Sequence, residues 1–253
     1  MRDDLFISQI RLREPVPSDD YPGCLSVVKN LYEMGNLEFH SPVTFFVGEN
    51  GIGKSTLIEA IAVSMGFNPE GGTLNFNFST EDSHSELYNY LSVGKTAKRR
   101  RDGFFLRAES FYNVASYVDS LDRGGDLLQY YGGKSLHHQS HGESFLSLME
   151  SRFGGNGIYI LDEPEAALSP NRLMRLMVLM DELVKKNSQF IISTHSPILM
   201  SFPGAEIYEL TEDAITSVPY QSTSHFQLTR QFVNDPDKML RYLLEENEDE
   251  GDV

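Results

Sequence analysis

A glycine-rich run near residue 50 has the residue types and spacing of a phosphate-binding loop. Residues 48–56 read Gly-Glu-Asn-Gly-Ile-Gly-Lys-Ser-Thr, which fits the pattern G-x-x-x-x-G-K-[ST] in full. Glycines allow backbone N–H groups to turn inward around phosphate oxygens, and the following helix adds partial positive charge at its N-terminus. In this pattern Lys54 reaches the β- and γ-phosphates, and the Ser55 hydroxyl ligates Mg²⁺. Against the alternative of a chance glycine turn, the loop predicts a nucleotide site formed by Asn50, Gly51, Gly53, Lys54, Ser55 and Thr56.

Two carboxylates end a second apolar run. Residues 158–161 are apolar and are followed directly by Asp162 and Glu163. A buried strand that ends in this way places its carboxylates at the C-terminal edge of a sheet, where open α/β sheets bind ligands. There Asp162 can hold Mg²⁺ and Glu163 can polarise an attacking water. The alternatives are an ordinary strand end or, with Glu165, the metal site of a nuclease, which needs further converging acids.

Short apolar runs predict the strands that place these groups. A β-branched and aromatic run directly precedes the glycine loop, as expected for a buried parallel strand, and similar runs recur along the chain. Alternating apolar and polar residues over 6–12 predict a first strand, and a weaker strand is predicted over 25–31. The buried strands are predicted at residues 43–47, 104–106, 158–161 and 190–192.

Helical patterns lie between these strands. A helix is predicted from Ser55 to Met65, directly after the glycine loop, and another over residues 144–151. A third begins after Ser169, which suits an N-cap, with Pro170 at the first helical position, where its missing N–H costs nothing. Strands that alternate with helices predict an α/β domain with a mostly parallel sheet. The apolar stripe of the third helix, which would face the sheet, contains Leu173, Leu176, Met177, Met180, Leu183 and Val184.

Three segments resemble motifs of the ABC ATPase superfamily and occur in that family's order. Residues 161–169, Leu-Asp-Glu-Pro-Glu-Ala-Ala-Leu-Ser, resemble the Walker B motif followed by the D-loop. Residues 193–197, Ser-Thr-His-Ser-Pro, resemble the switch-histidine loop, and residues 139–143, Gln-Ser-His-Gly-Glu, fall where the ABC signature lies. With the glycine loop as Walker A, the resemblance covers about residues 43–200. The motif Asp-Glu-Pro-Glu most resembles that of small soluble ATPases of this class, which are either SMC-like or stand-alone bacterial AAA-type proteins.

The resemblance implies a fold and a domain organisation. The fold is a P-loop NTPase of ABC ATPase type: α/β, with a mostly parallel sheet, an antiparallel β edge and an inserted helical signature lobe. A single ATPase domain is expected over residues 1–253. Its catalytic core is expected at about residues 1–66, 102–111 and 157–243. The inserted signature lobe is expected at about residues 67–101 and 112–156, and an acidic tail at 244–253.

The resemblance also implies the chemistry, which is hydrolysis of ATP to ADP and phosphate with Mg²⁺ as cofactor. Lys54, Glu163 and His195 would be the catalytic residues, with Glu163 orienting water and His195 contacting the γ-phosphate. ATP would join two copies head to tail as a homodimer, because the signature of one subunit completes the P-loop of the other. The signature residues that would contact the nucleotide are Ser140, Gly142 and Glu143.

Two positions depart from the family pattern. His141 occupies a glycine position of the signature, either as a tolerated exposed side chain or as an added phosphate donor. After the predicted strand 104–106, Glu109 stands in place of the usual Q-loop glutamine. A carboxylate there can contact Mg²⁺ or the lytic water. The predicted Mg²⁺ ligands are therefore Ser55, Asp162 and Glu109.

Composition and charge restrict the function further. The 253 residues contain 37 acidic and 21 basic side chains, a formal net charge of −16, which disfavours indiscriminate binding to polyanions. The single cysteine, Cys24, excludes an intramolecular disulfide and a multi-cysteine zinc cluster, and fits a reducing cytosol. No apolar run approaches the ~18 residues that span a bilayer, and no signal-peptide pattern opens the chain, so a soluble cytoplasmic protein is expected.

A basic cluster bears on the partner. Five cations lie between Lys95 and Arg101, either as an exposed loop or as a local contact with a polyanion. The first hypothesis is a soluble ATPase that drives a process of the genome-maintenance or phage-defence type, with nucleic acid or a separate effector protein as its partner. The alternatives are the nucleotide-binding subunit of an ABC transporter and a regulatory switch that binds ATP without hydrolysing it.

Overall fold

Two β-sheets organise the described part of the chain, which comprises residues 5–73, 85–108, 111 and 141–245 of the computed structural model. The strands are β1 (Ile7–Leu12), β2 (Leu37–Glu38), β3 (Val43–Gly48), β4 (Leu91–Lys95), β5 (Asp102–Arg107), β6 (Gly157–Asp162), β7 (Gln189–Ser193), β8 (Glu206–Leu210) and β9 (Ile215–Ser217). The helices are α1 (Tyr21–Cys24), α2 (Ser26–Met34), α3 (Lys54–Ser64), α4 (Leu87–Tyr90), α5 (His141–Arg152), α6 (Pro170–Lys185), α7 (Pro197–Met200), α8 (Ser224–Asn234) and α9 (Pro236–Glu245), with 3₁₀ turns at Pro164–Ala166 and Tyr220–Ser222. None of these described helices is long and apolar enough to cross a membrane.

The larger sheet is mostly parallel. Its strand order is β5-β6-β7-β3-β8-β9, and only β9, at one edge, runs antiparallel to its neighbour. The smaller sheet, in the order β2-β1-β4, is antiparallel. Because β3, β7 and β6 run in one direction, the glycine loop and the two carboxylates follow strands that end at the same edge. The predicted α/β fold with a mostly parallel sheet and an antiparallel edge is confirmed.

Alternate residues of the central strands face opposite sides of the larger sheet. In β3, Phe45 and Val47 belong to a core shared with α5 and α6, whereas Phe46 belongs to the core on the other side, with α2, α3 and the smaller sheet. Every residue of β3, β6 and β7 is buried, as expected for strands covered on both faces. The predicted apolar stripe of α6 is confirmed by its buried members, Leu173, Leu176, Met180 and Leu183.

The strand predicted over residues 25–31 is wrong, because this segment forms α2. Its buried side chains Val27, Val28 and Leu31 recur at helical rather than alternating spacing. Gly35 ends the helix with φ +75°, and its N–H donates to the Leu31 carbonyl. Two adjacent β-branched residues favour a strand locally, but burial of one helical face against β1 and α3 outweighs that preference. The other predicted strands and helices are confirmed, with ends that differ by at most three residues.

The smaller sheet contains a strand from the middle of the chain. β4 pairs antiparallel with β1, so that Val93 lies opposite Ile10. Residues 67–101 are predicted to belong to the inserted lobe, whereas this pairing attaches residues 91–95 to the N-terminal sheet. The division of the chain into a core and a lobe stays a prediction.

A buried glutamine joins the two sheets. Gln189, the first residue of β7, has no solvent exposure. Its Oε1 accepts hydrogen bonds from the backbone N–H groups of Phe6 (2.8 Å) and Ile7 (2.9 Å), and its Nε2 donates to the Ile7 carbonyl (2.9 Å). Because buried polar groups need such partners, this side chain ties the start of β1 to β7.

Gln189→Leu should lower the free energy of unfolding by about 2–4 kcal/mol, because the Phe6 and Ile7 backbone groups lose their buried partner. Chemical denaturation followed by circular dichroism measures the loss. Gln231→Leu makes the same change on the exposed surface of α8 and should alter stability by less than ~0.5 kcal/mol. Equal losses in the two variants would show that the joint between the sheets adds nothing specific.

Candidate nucleotide-binding site

Helix α2 packs against the glycine loop at Gly53. Gly53, the N-cap of α3, has φ +103°, and a Cβ atom there would lie 2.6 Å from Cγ1 of Val27. Gly51 also has a positive φ, +83°, but a Cβ atom there would meet no atom within 4 Å. Asn50 is exposed in the loop. The path of the loop therefore depends on a left-handed backbone at both glycines and, at Gly53 alone, on close approach of a neighbouring helix.

Lys54 is a buried cation that faces carboxylates. Its side chain is 4% exposed, and its Nζ donates to the carbonyls of Gly48 (2.9 Å) and Glu49 (2.8 Å). Burial lowers the pKa of Lys54, while Glu163, Asp162 and, more weakly, a third carboxylate act to raise it. The loop and the end of β6 therefore form one site.

Asp162 lies in a buried polar cluster at the end of β6. Ser193 Oγ donates to its Oδ1 at 2.5 Å, and Arg107 Nε lies 3.4 Å from its Oδ2. Arg107 also pairs through Nη1 with Oε2 of Glu59 in α3, at 2.6 Å. The motifs in the sequence do not single out Arg107. The signal that could find it is its place as the last residue of β5, in register with Asp162 of the neighbouring strand.

Glu163 leaves β6 in an unusual backbone conformation. Its φ and ψ are +48° and 54°, a left-handed region that residues other than glycine seldom adopt. Its N–H donates to the carbonyl and to the hydroxyl of Ser193, each at 3.1 Å. Its carboxylate is about one third exposed, and Oε1 lies 3.3 Å from Nε2 of His195. This turn brings a carboxylate and an imidazole together at the carboxyl edge of the sheet, and strained backbone of this kind clusters at functional sites.

The loop that follows β7 is held by two contacts. The backbone N–H of His195 donates to the carboxylate of Glu165, whose pKa is raised by burial. The His195 Nδ1 lies 2.9 Å from Nε2 of His225 in α8. Burial is the main cause that lowers the pKa of both imidazoles; Lys54 adds to it at His195, and His195 and then Lys54 add to it at His225, which favours the neutral form of each ring. His225 was not predicted as a site residue. The Thr223 N-cap could place it in the first turn of a helix, but not beside His195.

Part of the predicted signature lies against the segment that leads into α6. Glu143, in the first turn of α5, pairs with Nη2 of Arg172 at 3.1 Å and is 57% exposed. A Cβ atom at Gly142 would lie 2.6 Å from the Ala167 carbonyl oxygen, so the two segments approach closely there. The predicted contacts that fall outside the described residues are Ser140, Glu109 and the side chain of His141.

The residues at this edge fit a Mg²⁺ ion. Ser55 and Thr56 are half-buried in the first turn of α3, and Asp162 ends β6. Hydroxyl and carboxylate oxygens are the ligands that Mg²⁺ prefers, with waters and phosphate oxygens completing the shell. Ser193 donates to Oδ1 of Asp162, and the guanidinium of Arg107 lies 3.4 Å from Oδ2, so the carboxylate is held at the end of β6.

Three cations of the basic cluster at residues 95–101 contact helix ends. They donate to backbone carbonyls at or just after the C-termini of α3 and α6. The pairs are Lys95 with Ser64 (3.1 Å), Lys98 with Asn187 (2.9 Å) and Arg100 with Met65 (2.6 Å). The carboxyl end of a helix carries partial negative charge, so these three cations have a structural role. Arg99 and Arg101 are exposed.

Comparison with known families gives two partial matches. Residues 144–201 match the family described as "AAA domain, putative AbiEii toxin, Type IV TA system". Residues 30–129 match a family described as "AAA domain". The first range contains Asp162, Glu163 and His195, and the second contains the glycine loop, so both halves of the site fall within matched segments.

Curated relatives are identical to this chain at about one aligned residue in four. The ribose import ATP-binding protein RbsA of Jannaschia sp. (strain CCS1) is 26% identical over 215 residues, which are 72% of this chain and 39% of that protein. An uncharacterised ABC transporter ATP-binding protein of Haemophilus influenzae is 27% identical over 189 residues, 66% of this chain and 68% of the relative. The chain thus spans well under half the length of the first relative.

Solved structures that are similar to this chain include proteins of two kinds. The SMC head domain from Thermotoga maritima has a TM-score of 0.44 at 17% identity, with 85% of this chain and 99% of that one covered. CbiO1 from Clostridium perfringens, part of the ABC transporter complex cbiONQ, has a TM-score of 0.48 at 15% identity, with 95% and 99% covered.

Gly53→Ala should lower the free energy of unfolding by about 2–4 kcal/mol, because a left-handed backbone and a clash with Val27 add together. Gly51→Ala should cost only the backbone contribution, about 1–2 kcal/mol. Chemical denaturation of both variants measures the difference. A loss in Gly51→Ala as large as that in Gly53→Ala would exclude a role for the contact between α2 and the loop.

Proposed function

We propose that the chain is an ABC-class P-loop ATPase. It binds Mg·ATP at the carboxyl edge of the parallel sheet and hydrolyses it to ADP and phosphate. The observation that carries this proposal is the buried Lys54 facing the carboxylates of Asp162 and Glu163. A triphosphate at the N-terminus of α3 would lie between the loop and those carboxylates, where hydrolysis requires a cation, a Mg²⁺ ligand and a group that orients water.

Each side chain has a defined part in this proposal. Lys54 donates to two loop carbonyls, and because charged phosphate oxygens are stronger acceptors, its ammonium would transfer to the β- and γ-phosphates. Glu163 would accept a hydrogen bond from water and orient that water toward the γ-phosphorus. His195 would donate from Nε2 to a γ-phosphate oxygen. Ser55, Asp162 and Glu109 are the proposed ligands of Mg²⁺, which when bound neutralises charge on the phosphates.

A second copy would complete the site from the opposite side. The proposed signature contacts Ser140, Gly142 and Glu143 precede or begin α5, whose N-terminal N–H groups favour an anion. The Glu143 side chain remains more than half exposed, which supports access by a neighbouring subunit. ATP bound between two subunits would hold them together, and hydrolysis would release them.

The process that this cycle drives is proposed to be of the genome-maintenance or phage-defence type, in the cytoplasm, with nucleic acid or a separate effector protein as the partner. The Asp-Glu-Pro-Glu wording supports this choice. The alternative is a nucleotide-binding subunit of a transporter, which the names of the two curated relatives favour. A switch without hydrolysis is less well supported, because Glu163 and His195 lie 3.3 Å apart at the proposed γ-phosphate position.

Glu163→Gln should slow hydrolysis by about 10²–10⁴-fold, because the amide keeps the shape of the carboxylate but cannot polarise water. Lys54, Ser55 and Asp162 remain to bind Mg·ATP, so the variant should accumulate as an ATP-bound dimer. Phosphate release measures hydrolysis, and sedimentation velocity with and without Mg·ATP measures the change in mass.

Two further variants serve as controls for this experiment. Lys54→Ala should lose ATP binding and keep its nucleotide-free mass. Adding Ser140→Arg to Glu163→Gln should restore the nucleotide-free distribution by blocking the γ-phosphate from the opposite subunit. A Glu163→Gln protein whose mass does not respond to ATP would contradict the dimer, and one that hydrolyses ATP at the normal rate would contradict the proposed role of Glu163.

The exposed arginines Arg99 and Arg101 test nucleic acid as the partner. If they contact phosphates, the Arg99→Ala/Arg101→Ala variant should bind DNA more weakly, and the slope of log K against log salt should fall by roughly one per lost contact. Arg230→Ala/Arg241→Ala makes the same charge change on α8 and α9 and should leave the slope unchanged. Fluorescence anisotropy with a labelled duplex measures both. Equal slopes in wild type and both variants would favour a protein or transporter partner.

A further inference from the structure

His195 contacts a second histidine that arrives from α8. Its Nδ1 lies 2.9 Å from Nε2 of His225, and the ring centroids are 5.1 Å apart. At this distance one nitrogen must donate a proton and the other accept it, because two lone pairs or two N–H groups would repel each other. Since burial favours the neutral form of both imidazoles, the contact decides which nitrogen of His195 carries its single proton.

The opposite side of the His195 ring decides the direction of this hydrogen bond. Its Nε2 lies 3.3 Å from Oε1 of Glu163 and is buried without a hydrogen-bond partner among the described residues. If His225 donates, Nε2 of His195 carries an N–H group that attracts the Glu163 carboxylate. If His225 accepts, a lone pair on Nε2 faces that carboxylate and the two repel. The hydrogen-bond network therefore assigns the donor to His225.

The other nitrogen of His225 agrees with this assignment. With its proton on Nε2, neutral His225 has a bare lone pair at Nδ1. That atom is buried and has no hydrogen-bond partner within the described residues. The reverse arrangement would place an N–H donor at this position, and an unsatisfied buried donor costs about 1–3 kcal/mol.

Contacts at the start of α8 hold His225 in place. The Thr223 Oγ1 accepts from the N–H of Phe226 at 3.3 Å and caps the helix. Ser224 donates through its N–H (2.9 Å) and its hydroxyl (2.6 Å) to Oε1 of Glu209. Glu209 lies in β8, which pairs with the strand that ends in the glycine loop. These contacts fix the position of the His225 ring relative to the sheet that also carries the proposed phosphate site.

We propose that His225 is a positioning residue that fixes His195 as its Nε2–H tautomer, so that a hydrogen-bond donor faces the nucleotide site. The His225 Nε2–H donates to Nδ1 of His195, and no proton is transferred. The tautomer is a property of the free protein. The contact between the His195 N–H and the terminal phosphate rests on the proposed function.

Nitrogen-15 NMR of the full chain labelled at histidine tests the tautomer without nucleotide. Correlations between the ring nitrogens and the carbon-bound ring protons distinguish a protonated nitrogen from a bare one. The signals of His195 are assigned by their loss in His195→Gln. The expected result is a protonated Nε2 and a bare Nδ1 on both His195 and His225. A protonated Nδ1 on His195 would overturn the proposal.

Three substitutions of His225 separate hydrogen bonding from packing. His225→Gln keeps an N–H donor and should preserve the tautomer of His195. His225→Leu removes the donor and should give a mixture of tautomers. His225→Glu supplies an acceptor and should favour a protonated Nδ1 on His195. Thermal unfolding of all three variants controls for loss of structure, and an unchanged His195 tautomer in a folded His225→Glu protein would contradict the proposal.

The rate of hydrolysis should follow the tautomer. His225→Leu should lower kcat by about 10–100-fold, the range found when the partner that orients a metal-bound histidine is removed. His225→Gln should recover most of this loss, while the affinity for ADP should stay unchanged in every variant. Equal kcat values for His225→Leu and His225→Gln would overturn the positioning role. A wild-type protein that hydrolyses no ATP would instead contradict the proposed function, and the NMR result would still decide the tautomer.

Discussion

A buried ammonium group needs opposite charge close by, and this need at Lys54 organises the site. Burial takes the cation out of water and lowers its pKa, whereas Glu163, Asp162 and Glu165 act in the opposite direction. All three carboxylates lie at or just after the end of β6. The lysine therefore has its counter-charges only while β3 and β6 end at the same edge of the sheet, with β7 between them. The parallel topology and the charge of one side chain support each other.

The carboxylates are constrained in turn by groups behind them. Asp162 acts on the charge of Lys54 and lies 3.4 Å from Arg107, and Arg107 pairs with Glu59 of α3, the helix that begins at Lys54. The sign of the charge thus alternates along a series of four side chains from three elements. In order, they are Lys54 of α3, Asp162 of β6, Arg107 of β5 and Glu59 of α3. Removing one member of such a buried set leaves an uncompensated charge, at a cost of about 3–5 kcal/mol. The geometry of the proposed Mg²⁺ ligand is consequently tied to the packing of α3 on the sheet.

Much of this arrangement can be predicted from local patterns in the sequence. Contacts between residues that are distant in the sequence cannot be predicted in this way. The glycine loop, its flanking strand and helix, and the two carboxylates after β6 are each contained in a short run of residues. Residues 25–31 were misassigned because adjacent valines suit a strand, and only packing of one face selects the helix. Arg107 and His225 were missed because strand register places one beside Asp162 and the start of α8 places the other beside His195. The roles of Ser140 and Glu109 stay predictions.

The contact at Gln189 also links the smaller sheet to the candidate site through β7. Its side chain hydrogen-bonds to the start of the smaller sheet at one end of β7. At the other end Ser193 is the last residue of the strand, and the loop with His195 follows it. A β-strand is close to fully extended, at about 3.3 Å per residue, so it yields little to a pull along its axis. β7 is therefore an unbroken, buried connection between the smaller sheet and the groups that contact Asp162 and Glu163. The smaller sheet and the proposed phosphate site thus have one stiff strand as their common support.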